Sequence, residues 1–443
     1  MRSKELLKSA ILYLLVLMSV VLSYMTWNFS PDLTNLDSQD SKKEASQQLG
    51  EPYNVSMDEV VTPYQLVYSE PQRTRGMPAT DNVKYIINPL KGQRVSQVEH
   101  IHREHSLVLP ELSDRFLALD FPYKMPLSTY LNQVLNLTAK VPEKFEFDRM
   151  LIDTDQDGTV SLYAVSSSKH EVIHIKTNLK NQRMKSALKK LIGDMKPYSE
   201  VITGKDTIDP ATHVFAPTKP TKMKSYRAIY THINVDKLNT ILFNDSLVVH
   251  SSKSGVTTYN NNTGVANYND QKETYRYTNL SDDEASSNDM HEAIPSTFDF
   301  INSHGGFTDD FRLFEVDNQT GALTYQMFLN GMPIFSDTTL NQIKMSWGEK
   351  GVFSYARGML KTNVTIDSGE ADQSLPAVES VRASLANNGD IDFEKVTNII
   401  AGYKMEDKDK PNDIEVQRNS QFVPAWYVQY NGQWYKYENG GLV

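Results

Sequence analysis

An uncharged apolar segment near the N-terminus constrains the folding of this 443-residue chain more than any other feature. The segment runs from Ser9 to Trp27 and reads SAILYLLVLMSVVLSYMTW. Nineteen residues of α-helix are about 28 Å long, which is close to the hydrocarbon thickness of a bilayer. The segment therefore predicts a transmembrane helix over residues 9–27.

Charges on the two sides of this segment predict its orientation. Arg2, Lys4 and Lys8 precede it, whereas several acidic residues follow it. Positively charged flanks stay in the cytoplasm. We therefore expect residues 1–8 to form a cytoplasmic tip and the body of the chain to lie outside the cell. Trp27 stands where membrane proteins place an interfacial aromatic residue.

A cleaved signal peptide is the alternative interpretation of the same segment. The apolar core of a signal peptide is usually about 7–15 residues long and is followed by small residues at the cleavage site. Here the apolar run is longer, and the bulky Tyr24, Met25 and Trp27 occupy that place. The sequence favours an uncleaved anchor.

The composition of the chain excludes several kinds of chemistry. The chain has no cysteine, which rules out disulfides, zinc–thiolate sites, iron–sulfur clusters and thiol nucleophiles. Its net charge of -10 argues against a nucleic-acid partner, because phosphate binding requires clustered basic residues. The sequence also has no phosphate-binding glycine loop and no nucleophile elbow. We expect a protein without a cofactor and without enzymatic activity.

The fold class predicted for the rest of the chain is α+β, with several extracellular domains that combine mixed antiparallel sheets and packed helices. Residues 28–52 are polar and lack apolar periodicity, so they are interpreted as a linker. The predicted domains are an N-terminal domain at residues 53–215, a middle domain at residues 216–345 and a C-terminal domain at residues 346–443. Prolines 210, 217 and 220 mark the first boundary.

Two segments of the predicted N-terminal domain are interpreted as strands, and a third as a helix. PYQLVYS at residues 63–69 and VKYIINP at residues 83–89 are short apolar runs bounded by proline or polar residues. Apolar residues at helical spacing predict a helix from Met184 to Met195, before Pro197.

A weak internal echo relates the two C-terminal domains. AIPSTFDFINSHGG and SLPAVESVRASLANNG both place a proline near a helix start and a glycine at its end. Each is followed by an apolar strand pattern and a hairpin signal, Asn330-Gly331 in the first copy and Asn431-Gly432 in the second. Asn-Gly favours a two-residue hairpin turn because both positions tolerate positive φ. The echo predicts duplicated α+β domains.

His170 and His174 match the H-E-x-x-H signature of zinc proteases. That chemistry requires a helix, which brings both histidines onto one face. The surrounding sequence alternates and is rich in β-branched residues, which predicts a strand. On a strand the two histidines would be about 13 Å apart, too far for shared ligation. A zinc metallohydrolase at this pair is therefore an alternative that the predicted strand disfavours.

A weak calcium candidate comprises Asp153, Asp155 and Asp157. These carboxylates, followed by Gly158, match the start of an EF-hand loop. The twelfth position is Ala164, where that loop needs a bidentate glutamate. A plain Asp/Gly turn between two strands is the simpler interpretation.

The opening SAILYLLVLMSVVLSYMTWNFSPDL resembles the start of the YycH proteins of Gram-positive bacteria. The C-terminal PAWYV, followed by YNG, is similar to the same family and to PepSY-like modules. The similarity extends over the whole chain and includes its length, the absence of cysteine and the presence of two related C-terminal domains. The resemblance implies that the last of these domains is PepSY-like and YycI-like.

The resemblance implies a role that the residues alone do not supply. YycH proteins are single-pass accessory regulators of the WalK/WalR (YycG/YycF) two-component system, which controls cell-wall metabolism. The resemblance implies contacts with the sensor kinase WalK and with the sister protein YycI, through the transmembrane helix and the extracellular domains, in a lipid membrane.

The candidate contact surface of the transmembrane helix comprises four residues: Ser9, Ser19, Ser23 and Trp27. Ser19 and Ser23 are four residues apart on one helical face, and such small residues permit close helix approach.

A wall-polymer or peptide-binding module without a kinase partner is the other alternative. It would use the aromatic-rich strands at residues 426–437. Alternating aromatic residues more often pack a core.

Overall fold

Strands make up most of the structure, and two large sheets contain nearly all of them. The computed structural model describes residues 15–19, 49, 55–102, 108–153, 158–167, 171–209, 211–243, 247–282, 289–407 and 419–443. The chain divides into two units, residues 1–46 and residues 47–443, and both sheets belong to the second unit. The combination of sheets and helices confirms the predicted α+β class.

Nine strands of described residues form the first sheet, and all of these pair in antiparallel fashion. They are β1 (Gln65–Glu70), β2 (Arg73–Pro78), β3 (Val95–His102), β4 (Phe116–Pro126), β5 (Glu146–Asp153), β6 (Thr159–Val165), β7 (Glu171–Lys180), β8 (Lys196–Thr203) and β9 (His213–Pro217). Their spatial order is β3-β7-β6-β5-β4-β1-β2-β8-β9. Residues 55–217, which contain this sheet, are called the first-sheet half below.

Apolar side chains cover both faces of the first sheet. Leu66 and Leu119 belong to the main core on one face, whereas Val67 and Phe116 belong to a smaller core on the other. A strand that is buried on both faces has no need to alternate apolar and polar residues. This explains the almost continuous burial of β4, β5 and β6.

Over the described part of residues 55–217, four helices accompany the first sheet. They are α1 (Met57–Val60), α2 (Lys84–Leu90), α3 (Leu127–Thr129), which continues as a π-helical turn (Tyr130–Val134), and α4 (Asn181–Ile192). The structure confirms the helix that was predicted before Pro197, since α4 buries Met184, Leu188 and Leu191. α2 packs against α4.

The prediction of a strand at residues 83–89 is wrong, because this segment forms the helix α2. Its apolar residues are also compatible with helical spacing, and Val83, Ile86, Ile87 and Leu90 are all buried. Those four positions lie on one helical face, and the two isoleucines suggested a strand only because β-branched residues are common there. The strand predicted at residues 63–69 is confirmed as β1.

The second sheet contains fifteen strands, counted over the described residues between 226 and 442. They are β11 (Tyr226–His232), β12 (Val249–Lys253), β13 (Val256–Asn260), β14 (Gly264–Asn269), β15 (Thr274–Asn279), β16 (Phe311–Asp317), β17 (Ala322–Leu329), β18 (Met332–Phe335), β19 (Gln342–Trp347), β20 (Val352–Gly358), β21 (Leu360–Asp367), β23 (Val396–Asp407), β24 (Asn419–Tyr430), β25 (Gln433–Glu438) and β26 (Gly441–Leu442). A separate two-stranded sheet pairs β10 (Thr221–Met223) with β22 (Gln373–Leu375). Residues 221–443 are called the second-sheet half.

The main path of the second sheet runs β12-β13-β14-β15-β20-β19-β17-β18-β23-β24-β11-β21. β16 pairs with β17 beside this path, and β25 joins β24 to β26. Among the described strands only β18 and β23 pair in parallel. β12 and β21 are therefore the two ends of the path.

The described residues of the second-sheet half form three α-helices: α5 (Val235–Leu242), α6 (Met290–Ser303) and α7 (Val378–Asn387). The prolines of the internal echo have different positions in the two copies. Pro376 precedes α7, whereas α6 begins five residues before Pro295, at a cap where Asp289 accepts a hydrogen bond from the His291 N–H. An aspartate in this position stabilises a helix start.

Both predicted Asn-Gly hairpin turns are confirmed. Asn330 and Gly331 have φ of 53° and 77°, and Asn431 and Gly432 have φ of 54° and 79°. Two successive positive φ values are the signature of a type I′ turn, which matches the twist of the strands it connects.

The predicted domain boundaries stay predictions, and strands cross both of them. β9 contains residues 215 and 216, and β19 contains residues 345 and 346. In addition, β20 pairs with β15 of the predicted middle domain.

Candidate functional site

The residues predicted to contact a partner in the membrane lie mostly outside the described part of the chain. Ser9, Ser23 and Trp27 are not described, whereas Ser19 belongs to the helical residues 15–19, whose side chains are exposed. Within the described residues, no helix combines the length and apolarity needed to cross a bilayer. The contact role of these four residues stays a prediction.

The first residue of the calcium candidate lies at the end of β5. The Asp153 side chain is buried, and its Oδ1 accepts a hydrogen bond from the Ser113 hydroxyl at 2.9 Å. Asp155 and Asp157 lie outside the described residues. The two strands predicted on either side of this segment are confirmed as β5 and β6, whereas the turn and calcium binding stay predictions.

The second histidine of the H-E-x-x-H pattern lies on β7, which confirms the predicted strand. His174 is buried, stacks on Tyr163 with ring centroids 4.4 Å apart, and has its Nδ1 3.1 Å from Glu99 Oε2. His170 lies outside the described residues. Among those that are described, no three potential ligands are close enough to hold a metal ion.

Most aromatic side chains of β24 and β25 pack inside the second-sheet half. Trp426 is 2% exposed and donates from Nε1 to the Pro376 carbonyl at 3.0 Å. Tyr427 stacks on Phe335 at a centroid distance of 3.7 Å, and Trp434 packs nearby. The aromatic pattern at residues 426–437 is therefore chiefly a core.

A cleft of about 550 Å³ lies where the two sheet halves meet. Its volume falls in the range of about 300–1,000 Å³ that is typical of ligand pockets. α1 and the start of α2 form one wall, and the segments at the starts of β16 and β21 form the other. The charged lining residues are Asp58, Glu59, Asp81, Lys84, Asp309, Asp310, Arg312 and Lys361.

On the first wall, carboxylates are paired with lysines. Lys84 Nζ lies 2.7 Å from Glu59 Oε1, and Lys91 Nζ lies 2.8 Å from Asp58 Oδ2. Glu59 also accepts the Ser56 N–H at 2.9 Å, which closes a capping box at the start of α1. Burial alone would raise the pKa of Glu59, but the hydrogen bonds from Lys84 and Ser56 outweigh burial and hold this pKa below its usual value.

On the opposite wall, Arg312 joins the two halves. Its Nε and Nη2 donate to the two carboxylate oxygens of Asp310 at 2.9 and 2.8 Å, and its Nη1 donates to the Ala79 carbonyl at 2.7 Å. The guanidinium also lies over the Phe328 ring, 4.7 Å from its centroid. Such a bidentate, stacked arginine is held in a fixed orientation.

Three groups that line the cleft are still available to bind a ligand. Asp309 accepts the Thr362 N–H and the Thr308 hydroxyl, both at 3.0 Å, but forms no ion pair with a described Lys, Arg or His. Lys361 likewise has no carboxylate partner among the described residues. Thr62 is 5% exposed, and its hydroxyl makes no hydrogen bond with them. The cleft can therefore bind a ligand that brings a cation and main-chain polar groups.

A buried hydrogen-bond network also fixes the junction of the two halves. Arg149 Nε donates to Asp120 Oδ1 at 2.6 Å, and Gln65 Nε2 donates to Asp120 Oδ2 at 2.8 Å. The Tyr64 hydroxyl, which accepts a hydrogen bond from Gln65, reaches Asn398 Oδ1 of β23 at 3.4 Å. These contacts connect the centre of the first sheet to the second.

Sequence reasoning did not find the cleft, because its walls come from segments far apart in the chain. The available local signal was the capping-box pattern from Ser56 to Glu59, which predicts a helix start and not a site.

Comparisons with known proteins agree over most of the chain. The family model described as YycH protein, N-terminal domain, matches residues 5–192, and the one described as YycH protein, C-terminal domain, matches residues 211–440. A protein of Bacillus subtilis (strain 168), named two-component system WalR/WalK regulatory protein YycH, is 21% identical over 97% of this chain and 95% of its own length.

The crystal structure of YycH from Bacillus subtilis has a similar fold. It covers 87% of this chain and 98% of its own, with a TM-score of 0.68 and 16% sequence identity. At this identity the likeness shows the fold alone. The two family models, which together match well over half of the residues, establish that this chain belongs to the YycH family.

Proposed function

We propose that this chain is a membrane-anchored, extracellular, non-enzymatic regulator of the WalK/WalR two-component system, and so of cell-wall metabolism. It contacts the sensor kinase WalK and the sister protein YycI through its transmembrane helix and its extracellular domains. The observation that carries the proposal is the family match over residues 5–192 and 211–440. The regulatory name of the Bacillus subtilis relative supports it.

The sequence of the N-terminal segment supports the membrane part of the proposal. Residues 9–27 are uncharged, and basic residues precede them. In this orientation residues 1–8 lie in the cytoplasm and residues 28–443 lie outside. The apolar side chains of Leu15, Val16, Leu17 and Met18 are 53–65% exposed, which suits contact with lipid or with another helix.

Regulation by contact requires a difference in affinity between two kinase states. A bound protein shifts a conformational equilibrium only by as much as it binds one state better than the other. In lipid, a helix contact is stabilised by close packing and interhelical hydrogen bonds, for which serine is suited. Ser9, Ser19, Ser23 and Trp27 are the proposed contact residues.

Crosslinking in intact membranes tests this contact. The double substitution Ser19→Leu with Ser23→Leu blocks close approach on the proposed face, so the amount of WalK captured by the full-length protein should fall several-fold. Val21→Leu with Met25→Leu is the matched control, because in a helix over residues 9–27 these two positions, also four apart, would face away from Ser19 and Ser23. Unchanged capture after exchange of the whole segment 9–27 for an unrelated apolar helix would contradict the helix contact.

A further inference from the structure

The last strand on one end of the second sheet has an open edge. β21 pairs with β11 on one side, and no described strand pairs with it on the other. An open edge presents main-chain N–H and C=O groups that can pair with another extended chain. Proteins normally protect such edges with charged side chains, prolines or short strands.

Between the charged residues Lys361 and Asp367, β21 carries exposed apolar side chains. Val364 is 40% exposed and Ile366 is 44% exposed, and two residues apart on a strand they share one face. Both are β-branched, which favours packing against a neighbouring strand. At the opposite end of the sheet, β12 is also open, but after Val249 it continues with polar residues and ends at Lys253.

The cleft described above begins where β21 begins. Lys361, Thr362 and Asn363 line the cleft, and the strand continues directly to Val364 and Ile366. At about 3.3 Å per residue, the surface from the cleft to Ile366 is about 17 Å long, which matches a segment of about six extended residues.

The charge of the cleft indicates what its occupant carries. Five carboxylates and three cationic side chains line it, and Asp309 is the carboxylate held only by neutral donors. A ligand cation placed there would pair with a charge that no described residue neutralises. Lys361 and Thr62 are available to bind carbonyl groups of the same ligand.

We propose that β21 and the cleft bind an extended segment of another polypeptide, which pairs with the open edge and places a lysine or arginine side chain against Asp309. Main-chain pairing supplies affinity, the two apolar residues of β21 select β-branched neighbours, and the cleft selects the basic residue. The proposal goes beyond regulation of a kinase, since it assigns a peptide site that is independent of the membrane helix.

Selection from a library of phage-displayed random heptapeptides on the full-length protein in lipid nanodiscs tests the site. We expect enrichment of peptides that combine β-branched residues with one Lys or Arg. Fluorescence anisotropy then measures the affinity of the best peptide for each variant. Ile366→Lys should weaken binding at least about tenfold, which corresponds to about 1.4 kcal/mol. Val249→Lys, the same change on the other open edge, should leave affinity within about twofold.

The role of Asp309 is tested separately. Asp309→Asn keeps an oxygen that accepts the Thr362 N–H but removes the charge, so the affinity should fall. Replacing the basic residue of the peptide by glutamine should then cause no further loss in this variant, whereas it should weaken binding to the unaltered protein. The proposal would be overturned if the library gave no enriched peptide, or if the best peptide bound the Ile366→Lys variant as tightly as the unaltered protein. It would also be overturned if Asp309→Asn and the glutamine substitution in the peptide weakened binding additively.

Discussion

At the scale of single residues, the cleft is characterised by how its charges are paired. Glu59 and Asp310 are each held by a cation from the described residues, whereas Asp309 is held by a hydroxyl and a main-chain N–H. The paired carboxylates stabilise the walls, and the remaining one is available to a ligand. The same residue type thus has two roles within one site.

The pairing of Glu59 predicts a pH dependence of stability. Its pKa is lowered in the folded protein, so its stabilising contribution is present above the unfolded value of about 4.3 and is lost as pH falls through the folded pKa. Glu59→Gln should lower the free energy of unfolding at pH 7 by about 1 kcal/mol or less, because the pair is partly exposed. The difference in the free energy of unfolding between this variant and the unaltered protein should vanish once the pH lies below the folded pKa of Glu59.

Urea denaturation at a series of pH values measures this difference. Glu394→Gln is the matched control, since this exposed glutamate has no ion pair among the described residues and should show no such dependence. A Glu59→Gln difference that grows on acidification would contradict the pairing.

A second prediction at the scale of single residues concerns the stability of variants at Gly331, because its hairpin turn contacts the first-sheet half. A Cβ on Gly331 would lie 2.5 Å from the Ala79 carbonyl oxygen, whereas a Cβ on Gly432, in the equivalent turn, would meet nothing within 4 Å. Gly432→Ala should destabilise the protein by about 1–2 kcal/mol through positive φ alone. Gly331→Ala should cost roughly 1–3 kcal/mol more, through the clash. Equal urea midpoints for the two variants would show that the halves do not meet there.

The turn residues were predictable from the sequence, and the cleft residues were not. The conformation of the turn at Asn330-Gly331 can be predicted from these two adjacent residues, because glycine and asparagine are the residues that tolerate positive φ. The hydrogen bond from the Thr362 N–H to Asp309 depends instead on how the start of β21 lies beside the segment that precedes β16, which no local pattern encodes.

At the scale of elements, the buried pair of Arg149 and Asp120 joins β5 to β4 in the centre of the first sheet. A buried ion pair contributes little in itself, but removing one partner leaves an uncompensated charge. Arg149→Met should therefore lower the free energy of unfolding by about 3–5 kcal/mol. Adding Asp120→Leu removes the uncompensated charge. The double variant should therefore regain a large part of the lost free energy of unfolding, as measured by urea denaturation. Equal stability of the single and double variants would contradict this account.

Elements were predictable where one periodicity dominated. α4 shows helical spacing over its whole length, and β1 is bounded by polar residues, so both were found. α2 was missed because its four buried residues fit a helical face while its isoleucines favour a strand, and only packing against α4 decides between them. The edge position of β21 is a property of the sheet and is not visible in the strand itself.

At the scale of the whole molecule, the two sheet halves form one unit, joined by contacts such as Arg312 to Ala79 and Tyr64 to Asn398. In the proposed function this body lies outside the cell, and its attachment to the membrane holds it beside the kinase. The central claim of the proposed function is therefore that residues 9–27 stay in the protein as an anchor and that the body lies outside the cell.

The absence of cysteine makes this claim directly testable by labelling single introduced cysteines in intact cells with a membrane-impermeant maleimide. Ile208 is 69% exposed, so Ile208→Cys gives a reporter on the body, and Ser3→Cys gives one on the N-terminal tip. The account predicts that Ile208→Cys reacts in intact cells and that Ser3→Cys, still present in the mature protein, reacts only after permeabilisation. Loss of residue 3 from the mature protein, or an Ile208→Cys variant that reacts only after permeabilisation, would contradict it.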